Sequence, residues 1–174
     1  MPDEPNPYLY VLERPLSRAE VLAELAAMPE RLRTALEGAD VAALINQPRA
    51  DDWSAFQVLC HVRDATLTYA TRFRWIVFDH DPFMPDYDEN NWVNACQDTP
   101  ADIPAMLDEI ACSRRDLIRV LGRMPEAGWR RTGRHEVAGS IVLEDYARHQ
   151  VAHEAMHRGQ IRAAIATANT ASSR

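Results

Sequence analysis

The chain has 174 residues, 47% of them hydrophobic, and a formal net charge of −7. That length suits one domain with a sizeable core, read as spanning 1–174. The acidic balance counts against a general polyanion binder, so nucleic acid is not an expected partner. Cys60, Cys96 and Cys112 are widely spaced with no C-x-x-C pair, which fits reduced thiols in a cytoplasmic protein. No apolar run reaches the roughly 18 residues of a membrane span.

Residues 1–15 hold Pro2, Pro5, Pro7 and Pro15 and two glutamates, and read as an extended lead-in rather than a signal peptide. Tyr8, Leu9, Tyr10, Val11 and Leu12 are its packing residues. Ser17-Arg18-Ala19-Glu20 has the form of a capping box, and Val21, Leu25, Met28, Leu32 and Leu36 follow at helical spacing. This first helix should end at Gly38, with a kink or restart at Pro29. After a polar connection, Ser54-Ala55-Phe56-Gln57 is a second capping box. Phe56, Leu59, Val62, Leu67, Phe73, Ile76 and Val77 then mark a second helix to about Asp79, with His61 two turns inside it.

Residues 80–99 read as the longest loop, with a helical turn around Trp92 to Cys96; a loop of this length usually covers something. Thr99 as N-cap and Pro100 at the first position open a third helix, whose stripe is Ile103, Met106, Leu107, Ile110, Leu117 and Leu121. Gly122 to Gly139 is glycine-rich and basic, a loop with little regular structure. Its Arg123, Arg130, Arg131 and Arg134 read as solvated, with capture of an anionic cosubstrate as the functional alternative. A fourth helix begins between Ser140 and Leu143 and runs past Ile165, and the tail 167–174 is expected to fray. Four amphipathic helices without β alternation or repeats make an all-α four-helix bundle.

The fourth helix carries the chemistry. His149, His153 and His157 recur every four residues and share a face. His153-Glu154-Ala155-Met156-His157 matches the H-E-x-x-H pattern of zinc proteases. After His157, however, no His, Asp, Glu or Cys follows, and Ala163 stands where the extended pattern wants histidine. A third ligand must come from upstream. Bundles build metal sites between facing helices, and His61 is an isolated polar residue in a largely apolar helix. His61, His153 and His157 are therefore the expected metal ligands: three neutral nitrogens and an open position, the catalytic pattern. Zinc, nickel and iron all suit imidazole.

Further candidates are weighed against plainer roles. His149, about 6 Å further along the axis, supports a ligand or faces substrate, against simple packing. Glu154 is a candidate base on bound water, against a solvated helix face. Gln160 is placed to hold a ligand ring, Asp64 to orient a histidine or sit on the surface, and Cys60 to pack in the core. His80 and His135 receive no role.

These residues resemble the DinB/YfiT-like family of metalloenzymes. Trp53-Ser54 followed by Val58-Leu59-Cys60-His61 is similar to the family's start of helix two, and His149, His153 and His157-Arg158-Gly159-Gln160 to its helix-four pattern. The likeness extends over Met28 to Leu32, Pro85 to Trp92 and Gly128 to Arg131. It implies a four-helix bundle holding a divalent metal through His61, His153 and His157, and a homodimer. It also implies an enzyme acting on a small molecule, first by S-transferase-like chemistry with a low-molecular-weight thiol as cosubstrate. A metal-dependent hydrolase and a non-enzymatic metal or small-ligand binding protein are the alternatives.

Overall fold

The computed structural model describes residues 6, 8–10, 12 and 14–172. Ser17 and Ser54 each close a reciprocal capping box, with Glu20 and Gln57, and so start α1 (Arg18–Leu36) and α3 (Ala55–Phe78). Between them lies α2 (Val41–Ile45), one short turn capped by the Asp40 side chain. The 80–99 connection holds β1 (Phe83–Met84) and α4 (Glu89–Ala95). Next come α5 (Ile103–Leu121), β2 (Thr132–His135), β3 (Gly139–Val142) and α6 (Leu143–Ser172). The long helices α1, α3, α5 and α6 form the four-helix bundle.

The structure departs from the sequence reading at four places. Pro29 does not break α1, although it removes one intrahelical hydrogen bond. Leu25, Met28 and Leu32 are fully packed on either side of it and hold the helix through. Second, the tail stays helical to Ser172: Ala168 is buried and the Thr167 hydroxyl donates back to the Ala163 carbonyl. Residues 173 and 174 lie outside the described residues.

Third, the expected loop 122–139 is ordered. A 3-10 turn at Glu126–Arg130 leads into the β2–β3 hairpin, which turns at Gly139 with φ +70°. β1 adds to β2 in parallel, Phe83 opposite Arg134, and completes a three-stranded sheet on the side of the bundle. Gly133 is required by contact, since a Cβ there would stand 2.9 Å from Ile76 Cγ1. Arg131 Nε donates to the Ile76 carbonyl at 2.6 Å, and its Nη2 donates to the Asp79 carbonyl. This arginine thus satisfies carbonyls that the end of α3 leaves open.

Fourth, the lead-in is not simply extended. The Leu9 backbone N–H donates to the Asn6 carbonyl at 3.0 Å, and Asn6 Nδ2 donates to the Ala138 carbonyl at 2.7 Å, pinning the lead-in to the hairpin. Pro2, Pro5, Pro7 and the expected packing of Val11 lie outside the described residues.

The apolar core is in two clusters. One holds Leu25, Phe73, Ile76, Leu117, Tyr146 and Val151; the other holds Leu32, Phe56, Leu59, Ile110, Ile161 and Ala164. Along α6 the residues between them include His153, Glu154 and His157, and along α5 they include Arg114, all buried. A polar layer therefore crosses the middle of the bundle. Among the described residues no helix is long and apolar enough to cross a membrane.

Candidate metal centre

α3 and α6 face each other across that layer. His61 projects from α3, and His153 and His157 project from successive turns of α6, as i, i+4 spacing requires. Their Nε2 atoms converge: 3.3 Å from His61 to His153 and 3.1 Å from His153 to His157. Among the described residues these three are the group of side chains able to hold a metal ion, with one donor atom each and all donors within 4.8 Å. All three rings are buried.

Burial pushes the pKa of His61 down to about 3 and of His153 down to about 2, and lowers His157; neighbouring histidines push His61 and His153 the same way. The rings are neutral, so each has one N–H and one lone pair. His157 Nδ1 lies 2.6 Å from Gln160 Oε1, an acceptor, which leaves its Nε2 lone pair facing the other rings. Among the described residues the Nδ1 atoms of His61 and His153 have no hydrogen-bond partner, and Glu89 Oε2 stands 3.8 Å from the former. A tetrahedral ion with nitrogens at about 2.0–2.1 Å sets them about 3.4 Å apart. Two observed separations lie close to that value, and a cation relieves the mutual repulsion of lone pairs aimed at one point. The donor set fits a divalent metal.

A cavity of about 540 Å³ opens over the triad. His149 lines it one turn before His153. Its Nδ1 accepts from the Tyr10 backbone N–H at 2.8 Å, so Nε2 carries the proton and donates to the Tyr69 hydroxyl at 2.7 Å. That bond leaves the Tyr69 O–H free to donate elsewhere. Both ring nitrogens of His149 are engaged, which places it beside the triad rather than in it.

The far wall comes from the 80–99 connection: Asp86, Tyr87, Asp88 and Glu89. Arg72 of α3 faces them. It lies over the Tyr87 ring, donates to the Tyr146 hydroxyl and the Pro85 carbonyl, and is 3.5 Å from Asp86. His135, given no role from sequence, is buried behind this wall, its Nε2 3.7 Å from Asp86. Burial, then Asp86 and Asp88, raises the pKa of Glu89.

Other sequence candidates stand elsewhere. Glu154 is neither solvated nor on the cavity wall: successive residues of a helix diverge by about 100°, which turns it from His153 toward α5. There its carboxylate is bound by Arg114 and by Gln150 Nε2. Asp64 is bound by Arg63 Nε at 2.8 Å, off the cavity. The basic cluster of 122–139 is also absent from the lining, and Arg72 is the cation there. Glu89, Tyr69 and Arg72 went unread because only the fold brings them to the histidines.

A family model described as the DinB superfamily matches residues 24–161. A protein of Geobacillus kaustophilus (strain HTA426) named "putative metal-dependent hydrolase" is 28% identical over 125 residues, 71% of this chain and 70% of that protein. Among solved structures, YfiT from Bacillus subtilis, described as "a probable metal-dependent hydrolase with an unusual four-helix bundle topology", gives a TM-score of 0.81 at 22% identity. The match covers 90% of this chain and 91% of that one. TT2238, described as a four-helix bundle protein, gives 0.56 at 22% identity over 84% of this chain and 99% of that one. At these identities the two structures establish the fold.

Proposed function

Because the chain belongs to the DinB superfamily, we propose that it is a metal-dependent hydrolase of small polar molecules, with His61, His153 and His157 holding the ion. The observation that carries the reading is the convergence of three neutral Nε2 donors at the floor of a cavity. A divalent ion held by these three histidines would supply Lewis acidity toward a water or thiol nucleophile and a substrate oxygen.

The surrounding side chains do the rest. Glu89, with its raised pKa at the cavity edge, takes a proton from the nucleophile. Tyr69, whose oxygen is occupied by His149, donates its own hydrogen to the oxygen on which charge develops. Arg72 orients a polar or anionic end of the substrate against the tyrosines. The names of the similar proteins from Geobacillus and Bacillus favour hydrolysis over the thiol transfer expected first from sequence.

Elemental analysis of untagged protein, after loading with zinc, nickel or iron, is the test. Near-stoichiometric metal is expected in wild type and its loss in His61→Ala, His153→Ala and His157→Ala. Loaded wild type should then cleave members of an ester and amide panel, and His157→Ala should not. Wild type that takes up no metal overturns the site. Turnover confined to a thiol with an electrophile replaces hydrolysis by transfer.

A further inference from the structure

Cys60 and Cys96 are 36 residues apart in sequence, yet their sulfurs face each other at 3.4 Å where α4 meets α3. Cys60 is buried and Cys96 half-buried; Cys112 is exposed on α5. Arg63 Nη2 stands 3.8 Å from Cys96 Sγ and 2.9 Å from Asp98, whose carboxylate accepts the Cys96 thiol at 3.2 Å. The pair joins two elements of the cavity. Cys60 precedes His61 on α3, and Cys96 caps α4, the helix whose first residue is Glu89.

We propose that Cys60 and Cys96 are a redox-active dithiol that a hydroperoxide converts to a reversible disulfide, clamping the outer cavity wall onto α3. A bond of about 2.0 Å requires the sulfurs to approach by little more than about 1 Å. Cys96 is the thiol that an oxidant reaches. Its sulfur attacks one peroxide oxygen and breaks the O–O bond, forming a sulfenic acid and releasing the other oxygen, with the thiol's proton, as water from hydrogen peroxide or as an alcohol from an organic hydroperoxide. Cys60 sulfur then attacks the Cys96 sulfur, and the hydroxyl leaves as water with the Cys60 proton. Two electrons pass from the sulfurs to the peroxide. The clamp requires the wall of residues 85–95 but no bound ion, so it stands apart from the hydrolase reading.

The test uses metal-free protein carrying Cys112→Ser. Graded hydrogen peroxide is expected to remove both remaining thiols together and lower the intact mass by two hydrogens. Proteolysis should yield a Cys60–Cys96 cross-linked peptide that dithiothreitol cleaves. Hydrogen exchange over residues 85–95 should slow roughly tenfold on oxidation and recover on reduction. The Tm should rise by roughly 5–15 °C, as expected for closing a loop of this length. With Cys60→Ser added, no cross-link forms and Cys96 runs on to sulfinic acid. Stepwise oxygen addition at Cys96 with Cys60 left free, or disulfide-linked dimers in place of the internal bond, overturns the pair. A cross-link that leaves exchange over 85–95 unchanged overturns the clamp.

Discussion

Glu154 sits next to His153 in sequence, but its carboxylate is bound to Arg114 in the bundle interior, with 2% of the residue exposed. Burial raises its pKa against the pull of Arg114, so ionisation depends on that partner. Glu154→Gln leaves the guanidinium buried without a counter-charge and should lower unfolding free energy by about 3 kcal/mol in urea titrations. Metal content should be unchanged. A catalytic base would give the opposite pattern, lost turnover at full stability. The histidines set a pH dependence. Burial holds His149 at about 4 and His61 at about 3, whereas unfolded rings take a proton near 6.5. The unfolded state therefore binds more protons, and stability of metal-free protein falls as pH drops from about 6.5 toward 4. Each such histidine contributes about 1.4 kcal/mol per pH unit across that range. Urea midpoints between about pH 7 and about pH 5 check this, and a flat profile would place the rings in water. His153 and His157 were legible because helical spacing alone sets their shared face. Glu89 was not, since nothing local ties α4 to His61.

Helix starts are local chemistry, and both serine capping boxes could be read to the residue. The sheet could not. β1 has two residues, too few to show alternation, and its partners Arg134 and His135 lie some fifty positions on. Basic residues there also mimic a solvated loop until Arg131 is seen on the carbonyls closing α3. Pro29 illustrates a weak local signal overridden by packing, because the buried neighbours Met28 and Leu32 keep α1 whole. Pro29→Ala restores a hydrogen bond to the Leu25 carbonyl and removes a ring clash, offset in part by a freer unfolded chain. The net expectation is a gain of about 1–2 kcal/mol in chemical denaturation. A loss would mean that α1 is bent at Pro29 to fit its neighbours.

In the whole molecule, the polar layer holding the triad separates the two apolar clusters, and its three histidines come from α3 and α6. Binding there is linked to folding of both halves. Metal at a hundredfold excess over Kd should stabilise by about 2.7 kcal/mol, which raises Tm by about 5–10 °C for a chain of this size. Calorimetry with and without ion checks it, and the combined His61→Ala, His153→Ala and His157→Ala variant should show no shift. The cavity itself has two kinds of wall. Its floor is made by helices whose side chains also form the core, while Asp86, Tyr87 and Glu89 come from a connection lying on the bundle surface. Substitutions at the wall residues Asp86, Asp88 and Glu89 carry little risk of unfolding, unlike those at the buried Met84 and Val93 of the same connection or around the triad. Descendants of such a chain are thus free to drift from one substrate to another by rewriting Asp86 and Asp88, with the histidines, Tyr69 and Glu89 inherited unaltered.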